Sequence, residues 1–471
     1  MISVMLRFPG KVARVCACRL PKNEVRSYTS ALFIPGNKAN KTFALLSPHL
    51  DFDKRFEDLE KLRKELELRG TKIDADELAK TWQFYRYIDT NRWALEHKRN
   101  EIAQSMKRLK KKKILSSEEE KEKIQLITQG KVLKQELRIV KEALWEMEEN
   151  VVVRALKLPN ELHERTPPAS PVILNQVGEK QEPEASEIKS HLAVGSSLGL
   201  IDYKNPLSCY LCDEAALFEL AALSYAGKYL TEAEMIRVAG TDFAYSLLVE
   251  AAGFDHQDPL QTFLLRMNEE HDPDNCNRLH LVGGATLISF LAMHTKQLIN
   301  PSHLPVRYFA TGRQYVPHAE GTATNGLFTI CQSSVVHAFA LVQDPLSPEY
   351  MAQFELILAT VTSLYNNLQV HYRTVMRSAN ELKPWESLRV SYEMWSPHLQ
   401  EYVEIGHVSL CGRYLSKRLL IAYQTPTGRD FPAIISGTVL SVPRLLACLL
   451  EQDPKQFRIP TEIAQHMRSF S

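Results

Sequence analysis

The sequence predicts an α+β fold: a long antiparallel helical arm, then a compact mixed domain. Three observations carry this prediction. Residues 50–155 are highly charged, poor in helix breakers and carry two heptad series. Residues 164–190 are rich in Pro, Glu and Ser with little apolar periodicity. From Ser190 onward the pattern becomes compact and mixes helical with strand periods. At 471 residues the chain exceeds one simple core, so two or three domains are expected.

The leader comes first. Residues 1–28 hold Arg7, Lys11, Arg14, Arg19, Lys22 and Arg26 against one acid, Glu24. Apolar and small residues separate the charges, with no long apolar core. This is the composition of a mitochondrial transit peptide, so residues 1–45 are assigned to a transit peptide and disordered leader. Arg26 stands three residues before Thr29, a spacing similar to that left by matrix processing. Matrix localisation is the resulting expectation.

The arm is assigned to residues 46–163. Tyr85, Ile88, Arg92, Leu95, Arg99, Ile102, Met106 and Leu109 alternate spacings of three and four, as do Leu126, Gly130, Leu133, Leu137, Val140, Leu144, Met147 and Val151. That alternation keeps one helix face turned toward a partner. Ser116 and Glu119 form a capping-box pair that starts the second helix. A short connection makes the pair antiparallel, and a helix of about 30 residues reaches roughly 45 Å. The first helix ends in Lys107, Arg108, Lys110, Lys111, Lys112 and Lys113. Six cations in seven residues can neutralise phosphates and release counterions. Such a run also suits a solvated helix end, balanced by the acids from Glu118 to Glu122.

After the linker, residues 191–471 form the second domain. Glu214 to Leu230 has an amphipathic pattern, with Leu217, Leu220, Ala221, Tyr225 and Leu230 on one face. Cys209 and Cys212 make a lone CxxC, and no second pair stands at zinc-ligand spacing. Eight scattered cysteines suit a reducing compartment. Hydrophobic content of 44%, charged content of 24% and a net charge of +1 are ordinary for a globular chain. No apolar run approaches the ~18 residues that span a bilayer.

Three C-terminal segments resemble the core of a class II seryl-tRNA synthetase: Arg389 to Pro397, Tyr402 to Ile405, and Ser441 to Leu446. Arg69-Gly70, Arg99-Asn100 and Leu158-Pro159-Asn160 are similar to marks of that family's tRNA-binding arm. The resemblance covers roughly residues 50–460. It implies an antiparallel sheet domain with flanking helices, an arm that grips tRNA, and a dimer through the helix after Glu214. The family's proline after that helix is replaced by Thr241, followed by Asp242.

The resemblance also locates a serine and ATP pocket whose residues have changed. Gly284 stands where a threonine reads serine, and Thr286 where a glutamate holds the ammonium group. Tyr315 and Pro317 occupy the positions of the Arg and Glu that clamp ATP; a shifted loop would return only Arg313 to the arginine role. His337 replaces a glutamate, and as an isolated histidine it also suits a structural role. Glu393, Glu404 and Arg444 match, Glu404 at a position that helps hold ATP and Mg²⁺ and Arg444 at the nucleotide-phosphate arginine. Glu404 and Arg444 could also pair with each other. His407, Leu410, Arg413 and Leu415 replace Ser, Asn, Asp and Gln positions.

Losing one charge-stabilising group typically costs about 10²–10³ in rate, and several are absent together. The expectation is therefore a pseudoenzyme with no catalytic residue, metal or cofactor. It would bind serine tRNA or other mitochondrial RNA through the arm and form a homodimer or a heterodimer with a true mitochondrial seryl-tRNA synthetase. A divergent active serine-tRNA ligase and a protein-interaction scaffold with no RNA role are the alternatives.

Overall fold

The computed structural model describes residues 30–33, 46, 48–112, 116–180, 188–265, 278–318 and 323–470, with the backbone of residues 5–8 and 11–14. The leader assignment and Lys113 otherwise lie outside the described residues. The leader boundary at residue 45 needs correction, because Ala31 and Leu32 are buried in the body of the protein. An apolar segment next to an apolar crease gains more by burial than by staying solvated.

The arm is two helices, α1 (Ala75–Lys110) and α2 (Ser117–Leu156). At 1.5 Å per residue each spans roughly 55–60 Å, longer than the expected 45 Å. Asp74 caps α1 by accepting from the amides of Asp76 and Glu77. Both halves of the Ser116–Glu119 capping box are present at the start of α2. Leu133, Leu137, Leu144 and Val151 are buried along the seam. Its charged positions diverge: Arg92 pairs with Asp89 and Glu96, whereas Arg99 is exposed. Ion pairs from Lys141 to Glu96 and Arg154 to Glu77 cross between the helices. Residues 48–74 are not coiled coil. They fold into short helices, Phe52–Glu57 and Leu59–Leu68, that widen the arm base.

The second domain is built on an eight-stranded sheet. Its strands are β1 (Val172–Val177), β2 (Ile236–Arg237), β3 (Val306–Tyr315), β4 (Gln332–Val342), β5 (Tyr372–Met376), β6 (Leu388–Ser396), β7 (Glu401–Gly412) and β8 (Ala433–Ser441). The order is β1-β5-β6-β7-β8-β4-β3-β2, antiparallel except for the short β2–β3 edge pair. The linker assignment over 164–190 is corrected here: its Val-Ile-Leu-Asn-Gln-Val run is the edge strand β1. That strand is exposed nearly throughout, so it lacks the alternation of a half-buried strand.

Helices α3 (Asp213–Glu232), α4 (Leu287–His294), α5 (Pro348–Asn367) and α6 (Val442–Gln452) surround the sheet. One core joins α3, α5 and α6 to residues such as Ala338, Ala340 and Val439. A second joins Phe339, Leu341 and Ile434 to α4 and the arm base. With both faces covered, β6 and β8 are buried at every position. The buried face of α3 is Phe218, Ala221, Ala222 and Tyr225; Leu220, expected among them, is 48% exposed. Cys209 lies in the strand Ser208–Leu211 and Cys212 just beyond it, at the start of α3. Among the described residues no group of three or more His, Cys, Asp or Glu is placed to hold a metal, and no helix is long and apolar enough to cross a membrane.

Two of the three arm marks, Arg69-Gly70 and Leu158-Pro159-Asn160, form the joint between arm and domain, whereas Arg99-Asn100 lies exposed along α1. Arg69 donates to the carbonyls of Asn160 (3.0 Å), Glu386 (2.5 Å) and Lys383 (3.3 Å). Asn160 donates to the carbonyls of Trp385 (2.9 Å) and Cys411 (2.8 Å). Arg418 reaches the carbonyl of Leu156 at 2.7 Å. Buried carbonyls need such donors, so these side chains are fixed by the joint.

Candidate functional site

A cavity of about 450 Å³ opens above β4, β7 and β8 beside the first turn of α6. Thr286, Tyr315, Pro317, His337, Glu404 and Arg444 line it, so six of the eight expected pocket positions come together. Gly284 and Glu393 do not. A Cβ at Gly284 would sit 2.7 Å from the carbonyl oxygen of Gly240, so the close chain approach requires glycine. Its amide donates to Asp242 at 2.8 Å.

The changed residues are absorbed by local structure. Thr286 caps α4, accepting from the Ser289 amide at 3.3 Å and donating to the Gly283 carbonyl at 2.8 Å. Arg313 turns away from the cavity to Glu219 on α3, at 2.7 Å, so a shifted motif does not return it to the phosphate position. His337 lies between Ser436 Oγ (2.7 Å) and Thr438 Oγ1 (3.2 Å) on β8. Burial, with His407 nearby, pushes its imidazole down to about 3, so it is neutral at physiological pH.

The matching acids are held by arginines. Glu393 and Glu404 stand directly opposite each other on β6 and β7, a repulsive pairing unless cations intervene. Glu393 bonds to Arg373 at 2.6 Å and to Arg377. Arg377 also lies 3.8 Å from Glu404. The Glu404 carboxylate bonds to Arg389 and accepts from Ser391 Oγ at 2.6 Å. Arg389 reaches on to buried Glu386 at 3.3 Å. Burial alone would raise the Glu404 carboxyl, but Arg389, His407 and Ser391 together hold it well below its usual value. The alternative of a Glu404–Arg444 ion pair is replaced by a different contact: Arg444 donates to the backbone carbonyl of Glu404 at 3.0 Å.

Sequence reasoning missed Arg373, Arg377 and Arg389 as carboxylate partners. The available signal was Arg373 on β5, Arg377 just beyond it and Arg389 on β6 beside two facing glutamates, and that needs the strand register. Lys383 and Trp385, which also line the cavity, had no signal.

The arm tip is a second candidate site, a nucleic-acid surface. Lys107, Arg108, Lys110 and Lys111 are exposed and have no acidic partner among the described residues. Lys112 is the exception, pairing with Glu119 of the capping box. On the domain, Leu220 of α3 and Ile236 just beyond its end are exposed, as are Phe243, Tyr245 and Met293.

Comparison with known proteins adds the following. Residues 275–453 match the tRNA synthetase class II core domain (G, H, P, S and T). The chain is 31% identical over 442 residues to the serine–tRNA synthetase-like protein Slimp of Drosophila melanogaster, covering 92% of this chain and 91% of that protein. It is 24% identical over 430 residues to the mitochondrial serine–tRNA ligase of Mus musculus, covering 87% and 80%. In fold, it is similar to seryl-tRNA synthetase from Pyrococcus horikoshii complexed with ATP: TM-score 0.74, 19% identity, 89% of this chain and 98% of that one.

Proposed function

The chain belongs to the seryl-tRNA synthetase family, and on that premise we propose that it is a non-catalytic mitochondrial paralogue of serine-tRNA ligase. It binds serine tRNA or another mitochondrial RNA through its arm and supports mitochondrial translation or homeostasis. The observation that carries this reading is the fate of Glu404. Its carboxylate is bonded to Arg389 and Ser391 within the fold. A divalent cation would have to compete with a buried arginine for it. Thr286, Pro317 and His337 offer no carboxylate in place of the other acids. Losing one such group typically costs about 10²–10³ in rate, so the combined loss removes useful amino-acid activation.

ATP–pyrophosphate exchange with a panel of amino acids tests this reading. The expected result is background exchange with serine and every other amino acid; robust exchange with any one establishes a divergent ligase instead. The exposed cations of the arm tip support RNA binding. Exposed Leu220 on α3 and Ile236 just beyond it support a dimer through that side, with a second copy or a mitochondrial seryl-tRNA synthetase. Co-purification from mitochondria with measured stoichiometry identifies the partner.

A further inference from the structure

Glu250 lies at the crease where the arm base meets the sheet domain, apart from both sites above. It belongs to the short helix Ser246–Ala251. Its carboxylate accepts from Ser30 Oγ (2.6 Å), the Ala31 amide (2.6 Å) and the Leu32 amide (2.9 Å). Ser30 Oγ accepts in turn from the Phe33 amide at 2.9 Å, folding the segment into a turn. Leu32 is 1% exposed. It shares an apolar core with Val152 and Leu156 of the arm and with Ala251, Leu415 and Leu419 of the domain. Beside this contact lies a cavity of about 240 Å³, bounded in part by Ser30, Lys157, Glu250, Asp255 and His256.

A mostly buried carboxylate needs donors, and these come from a segment about 220 residues away in sequence. Thr29 is the next residue upstream, and Arg26 stands three residues before it. We infer that Glu250 and the adjoining cavity are the receptor for the amino terminus created by leader removal. This rests on the mitochondrial reading above. Hydrolysis of the Tyr28–Thr29 amide consumes one water and leaves a carboxylate on Tyr28 and an α-ammonium on Thr29. Neighbouring Cα atoms are about 3.8 Å apart, so the new cation arises within one residue of the Glu250 contacts. Glu250 and Asp255 are the acids lining the cavity, facing Lys157 and with His256 3.8 Å from the Glu250 carboxylate. Buried Leu32 then fastens the processed end between arm and domain.

The test uses the full chain, tagged at its C-terminus, expressed in cells and purified from mitochondria. Sequencing should give Thr29 or Ser30 as the first residue. Amide exchange at Ala31 and Leu32 should be slow, and Glu250→Gln should speed it by about tenfold or more. The same variant should lower the melting temperature by a few degrees. Should Glu250→Gln fail to fold, Ser30→Ala removes one bond to the same carboxylate and reports the same exchange. Blocking cleavage with Arg26→Ala should leave a chain that melts lower than the processed form. A first residue beyond Phe33 overturns the receptor. Cleavage at Thr29 or Ser30 with fast exchange at Ala31 and Leu32 overturns docking and leaves the leader reading standing. An uncleaved chain absent from mitochondria overturns both.

Discussion

The arm tip and the sheet domain each carry a cluster of basic residues, and the two have opposite surroundings. At the tip, Lys107, Arg108, Lys110 and Lys111 face solvent without acidic partners among the described residues. In the domain, Arg373, Arg377 and Arg389 are wedged among Glu386, Glu393 and Glu404. The domain cations balance buried acids and stabilise the fold. The tip cations remain available to phosphates. A polyanion would therefore be drawn to charge that the fold has not already used.

Removing one partner from the buried cluster should have the largest effect. Arg389→Met strands Glu404 and Glu386, at a cost of about 3–5 kcal/mol, read by chemical denaturation. A small loss there would mean that the cluster is solvated and the contrast false. Replacing Lys107, Arg108, Lys110 and Lys111 by alanine should leave the melting temperature unchanged. It should weaken tRNA binding by about tenfold or more and flatten the slope of log affinity against log salt. Unchanged binding would remove the tip from the RNA surface.

The buried histidine sharpens the comparison by pH. His337 is held at about 3 when folded, against an ordinary 6.5. The unfolded chain takes up that proton first, so the stabilisation is present above about pH 6.5 and is lost as pH falls toward 3. The loss is about 1.4 kcal/mol per pH unit. His280, lowered to about 4 chiefly by burial, contributes with the same sign. His337→Gln should flatten melting curves measured between pH 6.5 and 4.5. Glu404 adds a separate loss only at more acid pH, because its folded value is also depressed. The smallest effect belongs to the arm: Ser116→Ala should cost about 1 kcal/mol by removing a cap, read as faster amide exchange at the start of α2.

The arm helices were legible because heptad spacing and capping boxes are local. The seam was read with Arg99 in it, yet Arg99 is exposed, because spacing alone does not say where a seam relaxes. Strand β1 was hidden in a linker because its side chains are exposed on a sheet edge. The cavity positions followed from the resemblance to seryl-tRNA synthetases, and six of eight converge. Gly284 failed because chain approach, a tertiary property, set its role.

By itself the sequence determined the two-part architecture, the capped hairpin, the cationic tip and the residue changes in the pocket. The first three depend on periodicity and residue chemistry along the chain, and the last on the resemblance to seryl-tRNA synthetases. Only the tertiary structure decided which acids are already paired, that Arg69, Asn160 and Arg418 form the joint, and that Glu250 holds Ser30 to Leu32. The joint and Glu250 contacts join residues from about 90 to 260 positions apart, and the acid pairs join residues 3 to 20 apart; strand register and burial bring them together.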